Sequence, residues 1–243
     1  MMDKVTMTVP VTLAHTASTP ISSPTFLIGE DGWCTAQSQR IPATLNMPDL
    51  PELLNVPEVR HEPSPNCDPR PQGISVELLV IHNISLPPGK FNTPFIADLF
   101  CNRLNYDADP YFEQLRPLRV SAHFLIRRDG GVVQFVATTQ RAWHAGVSSF
   151  GARERCNDFS IGIELEGTDY EPFTSPQYVA LYALTHALLK RHGLTAVCGH
   201  SDIAPGRKTD PGPFFDWVQY QQAVVDRRAQ VLTTPRLGFP IEG

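Results

Sequence analysis

Two histidines in this sequence each close an apolar run: His82 in VELLVIHN and His200 in LTAVCGH. Such runs read as strands of a buried sheet, and strand ends are where a sheet offers fixed side chains to accessible loops. Imidazoles at two strand ends, remote in sequence, suit a catalytic metal centre with a third protein ligand and one open position. The segment GHSDIAPGRKTDPGP at 199–213 is polar and punctuated by Pro205, Gly206, Pro211 and Gly212, so it reads as an ordered loop. It carries Asp202, Lys208 and Asp210. Asp210 can fold back onto the ion that His200 binds. Asp202 competes for that role, although it also fits support of the first turn of the loop. Cys198 competes as well, since it shares a strand face with His200, and its other reading is a small core residue. The residues alone leave the third ligand open among these three.

A metal hydrolase also needs a base for its water. In IGIELEG, alternation puts Glu164 and Glu166 on one strand face and Ile163 and Leu165 on the other. Two carboxylates on one half-buried face are costly unless one meets water or a cation, which marks the segment as a site. Lys208 fits the stabilisation of an oxyanion as an amide carbonyl becomes tetrahedral. Each residue also has a plainer reading. Strand-end histidines can be structural, Asp210 a turn residue before Pro211, Glu164 an ion-pair partner and Lys208 a solvated loop lysine. His123 reads as a core or supporting histidine, His144 equally as pocket-lining or structural, and His186 and His192 as structural residues of a long helix. His15 and His61 carry no signal.

The elements that must position these groups follow from periodicity. Strands are expected at 76–81, 159–167 and 194–200, and a hairpin at 120–137 around an Asp129-Gly130 turn. Helices are expected at 93–104, at 175–193, where Gly193 closes the helix, and at 214–232. Strands and helices alternate, which predicts an α/β domain with a mixed central β-sheet flanked by helices. Residues 1–72 are rich in Pro, Ser and Thr and read as an N-terminal extension of packed loop or mobile chain, with LPELL at 50–54 as one helical turn. The domain itself is expected over 73–232, followed by a tail at 233–243.

The 243-residue chain has length for one large domain, and its net charge of −5 argues against non-specific nucleic-acid binding. The five cysteines are odd in number and form no CxxC pair, so they read as reduced thiols of a cytoplasmic protein. No apolar run approaches the roughly 18 residues of a membrane span. The N-terminal stretch does not read as a signal peptide, because Asp3 offsets Lys4 and Thr and Pro interrupt its apolar run.

Four segments then carry a family resemblance: VIHNISLPPGKF, LRVSAHFLIRRDGGVVQFV, RAWHAGVSSFGARERCNDFSIGIELEGTD and GHSDIAPGRKTDPGPFFDW. In order and spacing, from about Ser64 to Trp217, the chain resembles the N-acetylmuramoyl-L-alanine amidases of the phage-lysozyme and peptidoglycan-recognition superfamily. Within that superfamily it is similar to the cytosolic enzymes that act on 1,6-anhydro-muramyl peptides in cell-wall recycling. The resemblance implies an amidase fold with Zn2+ on His82, His200 and Asp210, Glu164 as general base and Lys208 as stabiliser of the tetrahedral intermediate. It also implies that Asn83, Arg119, Trp143 and Arg155 contact the muropeptide. Arginine forks suit the carboxylates of a stem peptide, and an indole offers a flat face to a sugar. Family members of other classes bind peptidoglycan without cutting it, or are exported to act on intact wall. The complete ligand set disfavours the first, and the absence of a signal peptide or lipid anchor the second. Two departures stand out: about 20 extra residues separate Gly32-Trp33 from Ser64-Pro65-Asn66, and about 30 precede Gly32.

Overall fold

The apolar runs assemble as a sheet in a computed structural model that describes residues 25–37 and 59–226. In chain order its strands and helices are β1 (Thr25–Ile28), β2 (Cys34–Gln37), β3 (Val59–His61), β4 (Cys67–Pro69), β5 (Leu78–Ile84), α1 (Phe95–Phe100), β6 (Phe124–Ile126), β7 (Val132–Gln134) and β8 (Gln140–Ala142). There follow β9 (Ser149–Phe150), β10 (Arg153–Glu154), β11 (Ser160–Glu166), α2 (Ser175–Arg191), β12 (Ala196–Gly199), α3 (His200–Ile203) and α4 (Trp217–Asp226). The six-stranded sheet runs β12-β5-β11-β6-β7-β3. Its first four strands are mutually parallel and β7 turns back antiparallel to β6, so the sheet is mixed, as expected.

Alternation along β5 decides what each face holds. Leu79 and Ile81 join Ile161, Ile163 and Leu165 of β11 under the apolar side of α2, against Leu181, Leu184 and Leu188. Leu78 and Val80 face the other way and pack with Cys198, Ala145, Cys156 and Phe159. His82 continues that second face. Beside it, α1 packs Ile96 and Phe100 on Phe112, Leu125 and Phe135. Among the described residues no helix is long and apolar enough to cross a membrane.

The long helix begins as its residue types require. Thr174 accepts the Gln177 N–H, and the Gln177 side chain accepts the Thr174 N–H, a reciprocal box that satisfies two free donors. Gln177 is fully buried, and its amide also donates to the carbonyls of Ile126 and Glu166, tying the helix to two strands. The hairpin turns at Asp129-Gly130 as read, with the Asp129 carboxylate accepting the Gly131 N–H and Gly130 at φ 87°.

Elsewhere tertiary partners trimmed the elements. The helix expected over 93–104 stops at Phe100, because the Phe100 carbonyl is taken by Ser64 Oγ and Asn66 Nδ2 and Asn102 turns left-handed at φ 57°. The strand expected to end at His200 stops at Gly199, and His200 opens the single turn α3. Residues 25–37 form a hairpin that buries Phe26 and Cys34 in the main core, and β3 adds an edge strand beside β7. The two motifs flanking the extra residues are separately docked. The Gly32 carbonyl accepts from Thr138 N–H and Gln134 Nε2, while Asn66 bonds Phe100, Asn102 and Val120. LPELL at 50–54, His15, the end of the last helix and the tail at 233–243 lie outside the described residues.

Replacing Gln177 by Met keeps the volume and strands the Thr174 N–H and two buried carbonyls. The expected cost is about 2 kcal/mol or more, read as a lower urea midpoint with an unchanged slope.

Candidate metal centre

Strand register brings the site together. In the β11–β5 ladder Glu164 stands opposite His82, and in the β12–β5 ladder Gly199 stands opposite Ile81. Paired residues of parallel strands project to one face, so Glu164 is level with His82, and His200, one step past Gly199, arrives level with both. The loop after α3 then folds back. The Ser201 N–H donates to the Asp210 carbonyl, and the Arg207 and Lys208 N–H groups both donate to the Ala204 carbonyl.

The result is a near-equilateral triangle of donor atoms. His82 Nδ1, His200 Nδ1 and Asp210 Oδ2 lie 3.0 Å from one another along all three edges. Three ligands of a single ion at about 2.0–2.1 Å need spacing of this order, and two imidazoles with one carboxylate and an open side suit zinc. The two competing ligands are engaged elsewhere. Asp202 Oδ2 accepts the Gly199 N–H at 2.7 Å and shapes the turn at His200, and Cys198 is buried in the apolar cluster.

Each imidazole is fixed from behind. His200 Nε2–H donates to the Ala145 carbonyl, which leaves Nδ1 free as a lone-pair donor. His82 Nε2–H donates to His144 Nδ1, and His144 Nε2–H in turn faces Ser160 Oγ. Asn157 Oδ1 accepts the N–H groups of His144 and Ala145, and Arg207 donates to the carbonyls of Ala145 and Val147. His144 is therefore a supporting residue rather than part of a pocket wall. Its ring lies flat against β11 because Gly162 has no side chain: a Cβ there would sit 2.5 Å from the ring. A glycine inside an otherwise apolar strand was the sequence signal for this close approach.

Burial sets the charges. It pushes the His82 imidazole down to about 4, against the pull of Asp210, so the ring is a neutral donor at neutral pH. Burial also raises the Asp210 carboxyl, but the close approach of the His200 and His82 rings outweighs it and holds the group well below the usual carboxylate range. Glu164 is held well above that range by burial first and by Asp210 second, with Lys208 opposing. The two glutamates of β11 part company here. The Glu166 carboxylate accepts the Asn92 and Arg128 N–H groups, whereas Glu164 is 8% exposed and its Oε2 has no partner.

Asn83, Lys208 and Asp210 line a cleft of about 660 Å3 together with Tyr111, Asp169 and Tyr170. Arg207 separates it from a second groove lined by Arg155, whose backbone is left-handed at φ 61°. Trp143 is half-buried, and its Nε1 donates to Asp68. Arg119 is exposed, and its guanidinium donates to the Arg116 and Leu118 carbonyls. The structure thus gathers the proposed ligands, base and lysine, and sets Trp143 and Arg119 apart from the two grooves.

The comparisons with known proteins show the family. The sequence pattern of the N-acetylmuramoyl-L-alanine amidase family covers residues 72–213. The chain belongs to this family. The amidase is 54% identical over 178 residues to the 1,6-anhydro-N-acetylmuramyl-L-alanine amidase AmpD of Citrobacter freundii, covering 72% of this chain and 95% of that protein. It is 56% identical to AmpD of Enterobacter cloacae over 165 residues, 67% of this chain and 88% of the relative. A crystal structure of a selenomethionine derivative of AmpD superposes with a TM-score of 0.66 at 55% identity, covering 68% of this chain and 94% of that one.

Gly162→Ala drives a methyl group into the His144 ring. It is expected to cost the amidase about 1–3 kcal/mol in urea unfolding. The metal-free amidase is also expected to weaken in mild acid. His82, His123, His144 and His192 all have folded-state values below the ordinary 6.5, about 4 for His82 and His192, chiefly through burial. The unfolded chain therefore binds more protons, and stability is lost as pH falls from 6.5 towards 4. Glu164 opposes this with a single proton. Urea titrations of chelator-treated protein at pH 7 and pH 5 check the sign, and equal or greater stability at pH 5 would contradict it.

Proposed function

We propose that this chain is a zinc-dependent amidase that hydrolyses the bond between the lactyl group of 1,6-anhydro-N-acetylmuramic acid and L-alanine in muropeptides. The observation that carries the reading is the triangle of His82, His200 and Asp210, with a buried, unpartnered Glu164 oxygen on the neighbouring strand. The substrate class is supported by high identity to proteins named for that activity, over nearly their full length. His82, His200 and Asp210 would hold zinc, which when bound would supply a Lewis acid able to acidify a water and polarise the scissile carbonyl.

The chain's own residues do the rest. Glu164, with its raised proton affinity, takes a proton from the attacking water and returns it to the departing L-alanine amine. Lys208, exposed on the loop two residues before Asp210, holds the developing oxyanion. Asn83, which lines the cleft, and Arg155, which lines the second groove, contact the muropeptide, with Arg155 meeting a carboxylate of the stem peptide. The roles of Arg119 and Trp143 rest on the family resemblance alone, since neither lines these grooves. The catalytic domain is assigned to residues 73–232, and the strands that precede it join its sheet and core. All five cysteines are free thiols, which supports a cytoplasmic place in wall recycling.

The purified protein is expected to carry stoichiometric zinc and to release free peptide from anhydromuramyl-peptide faster than from intact peptidoglycan. Glu164→Ala is expected to retain zinc while kcat falls about 10^2–10^4-fold. Intact anhydromuramyl-peptide after incubation would overturn the hydrolase reading in favour of a binding module, and preference for intact wall would overturn the recycling role.

A further inference from the structure

One carboxylate outside the proposed catalytic set links the segments that carry His82, Glu164, Lys208 and Asp210. Asp169 lies three residues past the end of β11, the strand of Glu164. Its Oδ1 accepts from Asn83 Nδ2 at 2.7 Å, and Asn83 follows His82 on β5. Its Oδ2 accepts from Thr209 Oγ1, and Thr209 stands between Lys208 and Asp210. The return of the loop is moulded around the same side chain. Gly212 sits at φ 80°, and a Cβ there would lie 2.6 Å from Asp169 Oδ1.

We infer that Asp169 is a positioning residue that locks the Lys208–Asp210 segment onto the strands bearing His82 and Glu164. The physical case rests on where the loop is otherwise held. Around Asp210 the loop is tied by backbone bonds of Ser201, Arg207, Lys208 and Gly212, all within the loop or to α3, and by the Arg207 side chain, which holds the Ala145 and Val147 carbonyls outside the strands of the sheet. The Thr209–Asp169–Asn83 bridge is a side-chain link from the loop to the two central strands. A metal ligand on a loop needs such a link, because a displacement of a few tenths of an ångström at Asp210 opens the donor triangle. Both partners present hydrogen-bond donors, and each takes a different oxygen, so both carboxylate oxygens are engaged by the bridge. The bridge also fixes Asn83 at the cleft, coupling substrate contact to the position of the metal loop.

This inference rests on the metal-centre reading, and the test separates the two. Zinc affinity is measured by competition with a chromophoric chelator, alongside melting temperatures of the metal-free proteins, for Asp169→Ala, Asp169→Asn and Thr209→Val. Asp169→Ala is expected to weaken zinc binding about 10–100-fold, with turnover falling in parallel. Asp169→Asn restores most of it, since the amide oxygen still accepts from Asn83 while the amide N–H reverses the second bond and donates to Thr209 Oγ1. Thr209→Val, which deletes only the hydroxyl, gives a smaller loss of the same kind and keeps the variant set informative if Asp169→Ala does not fold. A zinc-binding wild type with unchanged affinity in Asp169→Ala or Thr209→Val overturns the inference alone. Asp169→Asn as impaired as Asp169→Ala overturns it too. A wild type without zinc affinity overturns the metal-centre reading and this inference with it.

Discussion

Everything at the site depends on the register of three parallel strands. With β11 and β12 paired to β5 as they are, Glu164, His82 and His200 stand level on one side of the sheet. A slip of one residue in either ladder would send the shifted side chain to the opposite face, beneath α2, and separate base from ligand. The register is secured by burial on both faces. Leu79, Ile81, Ile163 and Leu165 fill the layer under α2, and Leu78 and Val80 fill the other. The apolar residues that hold the sheet together are thus what sets the spacing of the polar ones.

Burial imposes a second condition, since imidazoles and carboxylates taken out of water must be satisfied. The chain meets it in layers. Nδ1 of each histidine points to the triangle, Nε2 is taken by His144 or the Ala145 carbonyl, and those partners are held by Ser160, Asn157 and Arg207. Glu166 is satisfied by two backbone N–H groups and recedes into the structure. Glu164 is left with a raised proton affinity and a buried oxygen without a partner, which suits a base.

The sequence made much of this legible, for reasons that differ from residue to residue. His82 and His200 could be found because apolar runs announce central strands and both residues stand at their ends. The capped helix at 175 and the turn at Asp129-Gly130 are local, and local chemistry decides them. The third ligand was beyond local reading. The family resemblance pointed to Asp210, and the structure supports that choice because Asp202 is spent on the Gly199 N–H and the loop folds back to Ser201. The two glutamates share a face by alternation, but only Asn92 and Arg128, far away in sequence, tell them apart. Ser64 and Asn66 shorten the helix at 95 across more than thirty residues, and the strands within 25–69 are paired by partners their own pattern does not reveal.

The account's central claim is that this register builds a zinc centre on two histidine Nδ1 atoms and one aspartate. Anomalous diffraction at the zinc edge from crystals of the zinc-loaded protein tests it most directly. The predicted result is a single strong peak per chain, bonded to His82 Nδ1, His200 Nδ1 and an Asp210 carboxylate oxygen at about 2.0–2.2 Å. A peak on Asp202 or Cys198, or on no more than one of the two histidines, would contradict it.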